Sequence, residues 1–332
     1  MRVALNGFGR IGRTFLRCVL QDPVARKKLD IVSLNIGPAN ADWLEVMFKY
    51  DTIMGIFPGK VEYRDCKLIV DGHAIQVVAE CDPLKIDWKS QEVDWVVEAT
   101  GSFTSREKSQ KHIQAGAKNV LITSPTKDDL PCIILGVNED TYNPKDHIIS
   151  LGSCSTWAFM PMLKVLHDAF DIKNGFMTSL HAYTNSQVLL DKEDKDIRRS
   201  RAAALNFIPT TTGAASLIKK VIPALDGKVY ARAVRVPVGI VSLIDLTFIA
   251  NKPISRKSIN EVCQHASNSY LKGIMDVSFK PLVSSDYKGN DYSVVIDSLL
   301  TETVENTGKI FGWYDNEWGY SQRLKDFLLL RT

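Results

Sequence analysis

Two kinds of hydrophobic spacing alternate along the first half of the chain. Apolar runs typical of buried strands occur at 2–6, 31–34, 93–98 and 119–123, and helical spacing follows residue 10 and recurs over 105–116. A hairpin at 69–75, with an Asp-Gly turn, interrupts the alternation and is expected at a sheet edge. Strands that alternate with helices predict a Rossmann-type, doubly wound parallel sheet with its ligand at the carboxyl ends of the strands.

The pattern changes after residue 152. Apolar residues at helical spacing predict a helix that begins at Cys154, and a turn at Asn174 and Gly175 precedes a strand-like stretch that ends in His181. Strands are predicted at 231–236 and 240–249, followed by a helix at 254–270. We therefore predict a dinucleotide-binding domain over 1–152, joined by a C-terminal helix at 317–332. An α+β catalytic domain with a largely antiparallel sheet is predicted over 153–316.

A glycine-rich turn follows the first strand. Gly7, Gly9 and Gly12 have the spacing G-x-G-x-x-G between a predicted strand and a predicted helix, within a βαβ unit. Such glycines let a pyrophosphate approach the backbone and rest on the helix N-terminus. The second strand ends at Ile36, where an acidic residue would bind the adenosine ribose, so the pattern leaves NAD and NADP both open.

A cysteine at the start of the second domain is the candidate nucleophile. Cys154 follows Ser153, a favoured N-cap residue, so its thiol lies at the positive end of a helix dipole. The dipole contributes about 0.3–1 kcal/mol and lowers a thiol pKa by about one unit, so a second contributor is needed. If the following strand runs antiparallel to the helix, His181 returns level with Cys154 and supplies an imidazole. The alternatives are a buried apolar cysteine and a structural histidine.

Composition excludes several classes of function. A net charge of +3 on 332 residues argues against nucleic acid or a membrane surface as partner. The six cysteines show no metal-ligand or redox spacing, and no secretory signal is seen, so we expect no metal and a cytoplasmic location. The role of two polar segments is not decided by composition. Residues 185–206, with Lys192, Lys195 and several arginines, form either a solvated surface or a functional loop, and 210–213 could cradle an anion.

With these pieces in order, the chain resembles the phosphorylating glyceraldehyde-3-phosphate dehydrogenases over essentially its whole length. The resemblance rests on seven motifs in family order: Asn6-Gly7-Phe8-Gly9-Arg10-Ile11-Gly12, Glu98-Ala99-Thr100-Gly101, Ser153-Cys154-Ser155-Thr156, His181-Ala182-Tyr183-Thr184, Thr212-Gly213-Ala214-Ala215, Arg235-Val236-Pro237 and Trp313-Tyr314-Asp315-Asn316-Glu317.

The resemblance implies a role for each matching residue. Cys154 is the expected nucleophile, and His181 its base and ion-pair partner. The expected cofactor-binding residues, for NAD or NADP, are Gly7, Gly9, Arg10, Ile11, Gly12, Thr100, Gly101, Thr123, Asn316 and Tyr320. The substrate phosphate is expected at Thr184, Ser186 and Arg235, and inorganic phosphate at Ser153, Ser155, Thr212 and Gly213. The family is usually a homotetramer in which the 185–206 stretch reaches a neighbouring subunit's cofactor.

Departures from the family pattern define the alternatives. Trp157 and Ala158 replace an asparagine and a cysteine in the catalytic helix, Ile36 replaces the ribose-binding aspartate, and Lys192-Glu193 replaces a Leu-Pro pair. These departures make NADP use a hypothesis beside NAD use. An erythrose-4-phosphate dehydrogenase and a degenerate dinucleotide-binding member without activity are the alternative functions. Aspartate-semialdehyde dehydrogenase does not match the motif at 313–319.

Overall fold

The computed structural model describes residues 1–193 and 196–332, so Lys195 lies outside the described residues. The chain divides into two compact units. The first contains Met1–Ile133, Thr141–Gly152 and Leu324–Thr332, and the second contains Ile134–Asp140 and Ser153–Arg323.

The first unit is built on one eight-stranded sheet. Its strands and those of a small separate hairpin are β1 (Arg2–Asn6), β2 (Asp30–Asn35), β3 (Tyr50–Asp51), β4 (Gly55–Ile56), β5 (Val61–Arg64), β6 (Lys67–Val70), β7 (His73–Val78), β8 (Trp95–Glu98), β9 (Asn119–Ile122) and β10 (Ile148–Ser150). Its helices are α1 (Arg10–Gln21), α2 (Pro23–Lys28), α3 (Leu44–Lys49) and α4 (Arg106–Gln114).

The strand order β10-β9-β8-β1-β2-β7-β6-β5 explains where a ligand can bind. Six strands, from β10 to β7, run parallel, and the chain winds outward from β1 in both directions. The order of these six strands is that of a dinucleotide-binding sheet, in which the switch point lies between β1 and β8. The predicted hairpin is confirmed: β6 and β7 are antiparallel, and with β5 they extend the edge of the sheet.

The second unit contains another eight-stranded sheet, which is mostly antiparallel. Its strands are β11 (Ile172–Ala182), β12 (Ile208–Thr210), β13 (Val229–Val236), β14 (Ser242–Ala250), β15 (Met275–Ser278), β16 (Val294–Asp297), β17 (Glu302–Val304) and β18 (Thr307–Tyr314). Its helices are α5 (Cys154–Phe170), α6 (Ala214–Val221) and α7 (Arg256–Asn268). The chain ends in α8 (Trp318–Leu329). The predicted fold class, a Rossmann-type sheet plus an α+β part with a largely antiparallel sheet, is confirmed.

One local prediction is wrong. Asn174 and Gly175 do not form a turn but lie inside β11, and the chain reverses at Asp171, whose φ is 53°. The glycine instead permits close strand packing, because a Cβ at residue 175 would lie 2.8 Å from the carbonyl oxygen of Thr247. Thr210 ends β12, and α6 begins at Ala214 with Gly213 as its N-cap residue.

None of the described helices has both the length and the apolar character needed to cross a bilayer.

Candidate active site

The cysteine at the start of α5 is held by a reciprocal cap. Ser153 is the N-cap residue, and its Oγ accepts a hydrogen bond from the backbone N–H of Thr156 at 3.3 Å. The Thr156 Oγ1 accepts from the backbone N–H of Ser153 at 3.1 Å, which completes a capping box. Cys154 is therefore the first residue of the helix, as its sequence context predicts.

The cysteine and the histidine are in contact. β11 begins directly after α5 and carries His181 next to its last residue. The Cys154 Sγ lies 3.4 Å from the His181 Nε2, which is a hydrogen-bonding distance for sulfur. His181 is buried, so this contact is shielded from solvent. The pair predicted from chain length and direction thus has the geometry of a nucleophile and its base.

An arginine contacts the other side of the imidazole. β13 pairs in parallel with β11 and places Arg235 opposite His181. The Arg235 Nη1 lies 2.6 Å from the His181 Nδ1 and donates to the carbonyl oxygen of Ala182 at 2.9 Å. That carbonyl oxygen is also 2.6 Å from Nδ1. A guanidinium only donates hydrogen bonds, so Nδ1 must act as the acceptor in its contact with Arg235. Nδ1 therefore cannot carry a proton while this contact exists.

The electrostatics of this trio follow from burial and one cation. Burial raises the pKa of the Cys154 thiol, and the charge of Arg235 opposes that shift. Burial and the same charge lower the pKa of His181 to about 3, so the imidazole is neutral at neutral pH. In this structure the group whose charge favours the thiolate is thus the Arg235 guanidinium, whereas the sequence predicted the His181 imidazole as the second contributor.

Arg235 has capacity to bind an anion. Burial is the main cause that lowers the pKa of its guanidinium, which nonetheless stays charged at neutral pH. Its Nε–H is buried and has no hydrogen-bond partner among the described residues. An unpaired buried donor on a cation is costly, and a phosphate oxygen would satisfy it.

A chain of hydroxyls runs beneath the pair. The Tyr314 hydroxyl lies 3.0 Å from the Ser155 Oγ and 2.9 Å from the Ser179 Oγ, and its ring packs edge-on against His181. On the neighbouring strand, the Ser242 Oγ donates to the Asn316 Oδ1 at 3.1 Å. Sequence reasoning missed Tyr314, Ser179 and Ser242. Of these three residues, only Tyr314 could have been found from the sequence, because it lies within the motif Trp313-Tyr314-Asp315-Asn316-Glu317.

The other residues predicted to bind phosphates lie on loops of the second unit. The Thr184 and Ser186 hydroxyls are 2.9 Å apart in the segment after β11. Thr212 and Gly213 precede α6, where Gly213 is the N-cap residue and the Thr212 Oγ1 accepts from the backbone N–H of Ala214 at 3.3 Å.

One residue of the polar loop belongs with this group. The Arg199 Nε donates to the Thr210 Oγ1 at 2.9 Å, and its charge acts on both His181 and Arg235. Arg199 is one of the arginines of the 185–206 loop, and its sequence context predicted no separate role for it. Its nearness to two charges of the site could not be read from spacing.

The glycine-rich turn of the first unit has the shape that a pyrophosphate requires. Gly7 has a φ of 104°, and a Cβ there would lie 2.8 Å from the backbone N of Thr100. A Cβ on Gly12 would lie 2.2 Å from the carbonyl oxygen of Gly7, whereas Gly9 faces open space. The N-terminus of α1 has neither a capping side chain nor an acidic residue in its first turn. The N–H groups of this first turn therefore suit an anion.

Other predicted cofactor residues of this unit already have internal partners. The Arg10 Nη1 forms an ion pair with the Asp51 Oδ2 at 2.5 Å. The hydroxyls of Thr100 and Thr123 donate to the side chain and to the carbonyl oxygen of Glu98 respectively. Ile11 lies in α1, and Gly101, whose φ is 72°, is exposed.

Asn316 and Tyr320 are buried in the second unit. The structure thus brings together Cys154, Ser155, His181 and Arg235 in that unit, and groups the glycine turn with Thr100 and Thr123 in the first. Within the described part of the chain, no three His, Cys, Asp or Glu side chains are placed to hold a metal ion.

Comparison with known proteins gives two matches to family models. Residues 1–106 match the NAD-binding domain of glyceraldehyde 3-phosphate dehydrogenase, and residues 153–316 match the C-terminal domain of that enzyme.

Individual relatives match nearly the whole chain. Glyceraldehyde-3-phosphate dehydrogenase 1 of Bacillus subtilis is 44% identical over 328 residues, covering 98% of this chain and 96% of the relative. The enzyme of Geobacillus stearothermophilus is also 44% identical, with the same coverage. The chloroplastic enzyme GAPA1 of Arabidopsis thaliana is 44% identical over 98% of this chain and 82% of its own length. The resemblance inferred from the seven motifs is confirmed, and the chain belongs to the glyceraldehyde-3-phosphate dehydrogenase family.

Proposed function

We propose that this chain is an NAD(P)-dependent, phosphorylating dehydrogenase that converts glyceraldehyde 3-phosphate and inorganic phosphate into 1,3-bisphosphoglycerate. The observation that carries the proposal is the 3.4 Å contact between the Cys154 Sγ at a helix N-terminus and the His181 Nε2, with Arg235 behind the imidazole. A nucleophile, a base and a cation with a spare donor are the groups that thioester formation on a phosphorylated aldehyde requires.

The first step forms a bond between sulfur and the aldehyde carbon. The Cys154 thiol gives its proton to the His181 Nε2 as the sulfur adds to the carbonyl carbon. The imidazolium passes that proton to the former carbonyl oxygen, so the thiohemiacetal carries a hydroxyl close to His181. The Nε2 accepts the hydroxyl proton while a hydride leaves the same carbon, so the carbonyl re-forms as a thioester. When bound, the nicotinamide ring supplies the hydride acceptor.

Arg235 couples substrate binding to the base. His181 can accept a proton at Nε2 only when its own proton lies on Nδ1, and Nδ1 then donates to the carbonyl oxygen of Ala182, 2.6 Å away. Arg235 must therefore turn from Nδ1 for the imidazole to act as a base. The substrate phosphate, bound with Thr184 and Ser186, draws the guanidinium toward itself and allows that change.

The second step uses inorganic phosphate. Phosphate oxygen attacks the thioester carbon, the carbon–sulfur bond breaks, and the acyl phosphate leaves while Cys154 returns to thiolate. Ser155, Thr212, Gly213 and the newly identified Arg199 orient the phosphate. Ser153 and Thr156, which satisfy each other in the capping box, hold the helix start in place. The Thr156 hydroxyl is thereby used by the cap.

The cofactor is NAD or NADP. The glycine turn of the first unit is proposed to bind its pyrophosphate, and the family resemblance assigns Asn316 and Tyr320 to cofactor binding as well. The Ser242 hydroxyl donates to the Asn316 Oδ1, which leaves the amide nitrogen of Asn316 as the group that binds the nicotinamide carboxamide. Ile36, at the end of β2, offers neither a carboxylate for a ribose hydroxyl nor a charge that repels a 2′-phosphate. We propose that NADP is accepted as well as NAD.

The assembly and the location are proposals of the same kind. The 185–206 loop, together with the adjoining Phe207, exposes several large apolar side chains, namely Leu189, Leu190, Ile197, Leu205 and Phe207. Apolar surface of this extent is typical of an interface, and we propose a homotetramer in which this loop contacts a neighbouring subunit.

A cytoplasmic location is supported by cysteines that, within the described residues, form thiols and not disulfides.

Steady-state kinetics with two sugars, two cofactors and with or without phosphate test the activity. We expect turnover of glyceraldehyde 3-phosphate with NAD and NADP, dependent on phosphate, and much slower turnover of erythrose 4-phosphate. A preference for erythrose 4-phosphate would overturn the substrate assignment. Strong selectivity for NAD would overturn the interpretation of Ile36, and absence of any turnover would favour a dinucleotide-binding protein without activity.

A further inference from the structure

A buried carboxylate in the first unit receives four hydrogen bonds. The Glu98 Oε1 accepts from the backbone N–H of Thr100 at 2.8 Å and from the Thr100 hydroxyl. The Oε2 accepts from the Asn6 Nδ2 at 2.5 Å and from the His112 Nε2 at 3.2 Å. The Glu98 and His112 side chains are completely buried. The carboxylate is thus fully satisfied at the carboxyl end of β8, although the proposed chemistry does not use it.

Each donor around Glu98 is fixed in direction by a further partner. The Trp88 Nε1–H donates to the His112 Nδ1 at 3.2 Å, so the proton of this imidazole lies on Nε2 and faces Glu98. The Asn6 Oδ1 accepts from the Asn35 Nδ2 at 2.7 Å, so the Asn6 amide nitrogen also faces Glu98. These groups therefore present donors to the Glu98 carboxylate.

The same carboxylate holds the backbone turn beyond β8. The Thr100 hydroxyl donates to Glu98 and accepts from the backbone N–H of Ser102 at 3.0 Å, so the turn at 100–102 closes on this side chain. The turn lies directly against Gly7, where a Cβ would be 2.8 Å from the Thr100 N. On its other side, the Glu98 carbonyl oxygen accepts from the backbone N–H and hydroxyl of Thr123.

Glu98 consequently links three predicted cofactor-binding segments: the glycine turn through Asn6, the 100–102 turn, and Thr123. We propose that Glu98 is a positioning residue for the dinucleotide, with His112 as its support, and that its carboxylate sets the spacing between the glycine turn and the 100–102 turn. The inference rests on the proposed NAD(P) binding of this unit. The Thr100 hydroxyl donates its one proton to Glu98, so the proposal gives this hydroxyl the role of holding the turn and not of donating to the cofactor.

Substitution of the carboxylate by an amide of the same shape tests the proposal. In Glu98→Gln, an NH₂ group must face either Thr100 or the Asn6–His112 pair, all of which donate. The conflict displaces one of the two turns, and we expect the Kd for NAD, measured by calorimetry on cofactor-free protein, to rise at least tenfold. His112→Phe removes one donor to Glu98 and roughly keeps the ring volume, and it should raise the Kd by about threefold to tenfold. If Glu98→Gln does not fold, the Kd of His112→Phe tests the proposal instead.

Trp88→Phe is the matched control. It removes a buried hydrogen bond one step away from Glu98 but keeps the four donor groups, because the carboxylate itself still favours the His112 tautomer with its proton on Nε2. It should therefore lower the melting temperature and change the Kd less than twofold. A purely structural role predicts instead that all three variants lose stability and bind NAD like the wild type, which would overturn the proposal. If the wild type itself binds neither NAD nor NADP, the proposed function fails and not this inference alone.

Discussion

At the scale of single residues, the reactive centre depends on how one imidazole is protonated. His181 lies between the Cys154 sulfur and the Arg235 guanidinium, and burial together with that cation lowers its pKa to about 3. The ordinary pKa of histidine is about 6.5. A neutral imidazole is the form that can act as a base, so the lowered pKa keeps the group competent at neutral pH.

This lowered pKa makes stability depend on pH. Between about pH 3 and 6.5 the unfolded chain binds a proton at His181 that the folded chain does not, so this residue makes folding less favourable as pH falls below about 6.5. From pH 7 to pH 5 the contribution reaches about 2 kcal/mol. We expect His181→Asn to remove this loss, as measured by denaturant unfolding at both pH values.

The exposed His265 provides the control for that measurement. His265→Asn should lose stability between pH 7 and pH 5 as the wild type does. If His181→Asn and the wild type also lose equal amounts, the imidazole is protonated in the folded protein, and the account of Arg235 as the local cation fails.

At the scale of elements, the sequence predicted which segments carry the chemistry better than it predicted their turns. The helix start at Cys154 could be foreseen because a serine N-cap and apolar residues at helical spacing are local signals. The chain reversal at Asp171, whose φ is 53°, could not, since aspartate visits the left-handed region only occasionally and no local signal marks which aspartate does so.

The sequence also did not predict the left-handed backbone conformation of Val241. Val241, which precedes Ser242, has a φ of 67°, a conformation that a β-branched residue adopts only at a cost of about 1–3 kcal/mol. The strained position directly precedes the hydroxyl that fixes Asn316. Strain of this kind depends on tertiary contacts and leaves no mark in hydrophobic periodicity.

The capping box of α5 gives a prediction with a matched pair of variants. Ser153→Ala removes the acceptor for the Thr156 N–H and should destabilise the fold by about 0.5–2 kcal/mol. Ser255→Ala removes the equivalent acceptor at α7, for the N–H of Ser258, and should cost a similar amount. Only Ser153→Ala should also slow alkylation of Cys154 by iodoacetamide. Equal alkylation rates in the two variants would show that the cap does not position the nucleophile.

At the scale of the whole molecule, composition and motif order predicted a two-part α/β enzyme, and the strand orders agree with that class. The sequence could not show that Glu98 joins three segments that are predicted to bind the cofactor, because its partners lie up to 92 residues away along the chain. Nor could it show that Arg199 acts on His181 and Arg235. Contacts between distant segments are set by the assembled sheet and not by local spacing.

The proposed tetramer gives a prediction at this scale. Sedimentation equilibrium should return about four times the 37.1 kDa chain mass. Phe207, which is 73% exposed in the single chain, belongs to the surface proposed as an interface, whereas Phe279, 60% exposed, lies outside it. Phe207→Ser should weaken assembly and Phe279→Ser should not. A monomer for the wild type, or equal behaviour of the two variants, would contradict the proposed interface.

The central claim is that substrate becomes covalently attached to Cys154. Its most direct test is mass spectrometry of the protein after one turnover with glyceraldehyde 3-phosphate and NAD in the absence of phosphate. We predict a 3-phosphoglyceroyl adduct on the peptide that contains Cys154, released on addition of phosphate and absent from Cys154→Ser. NADH formation without an adduct, or an adduct on another cysteine, would contradict the account.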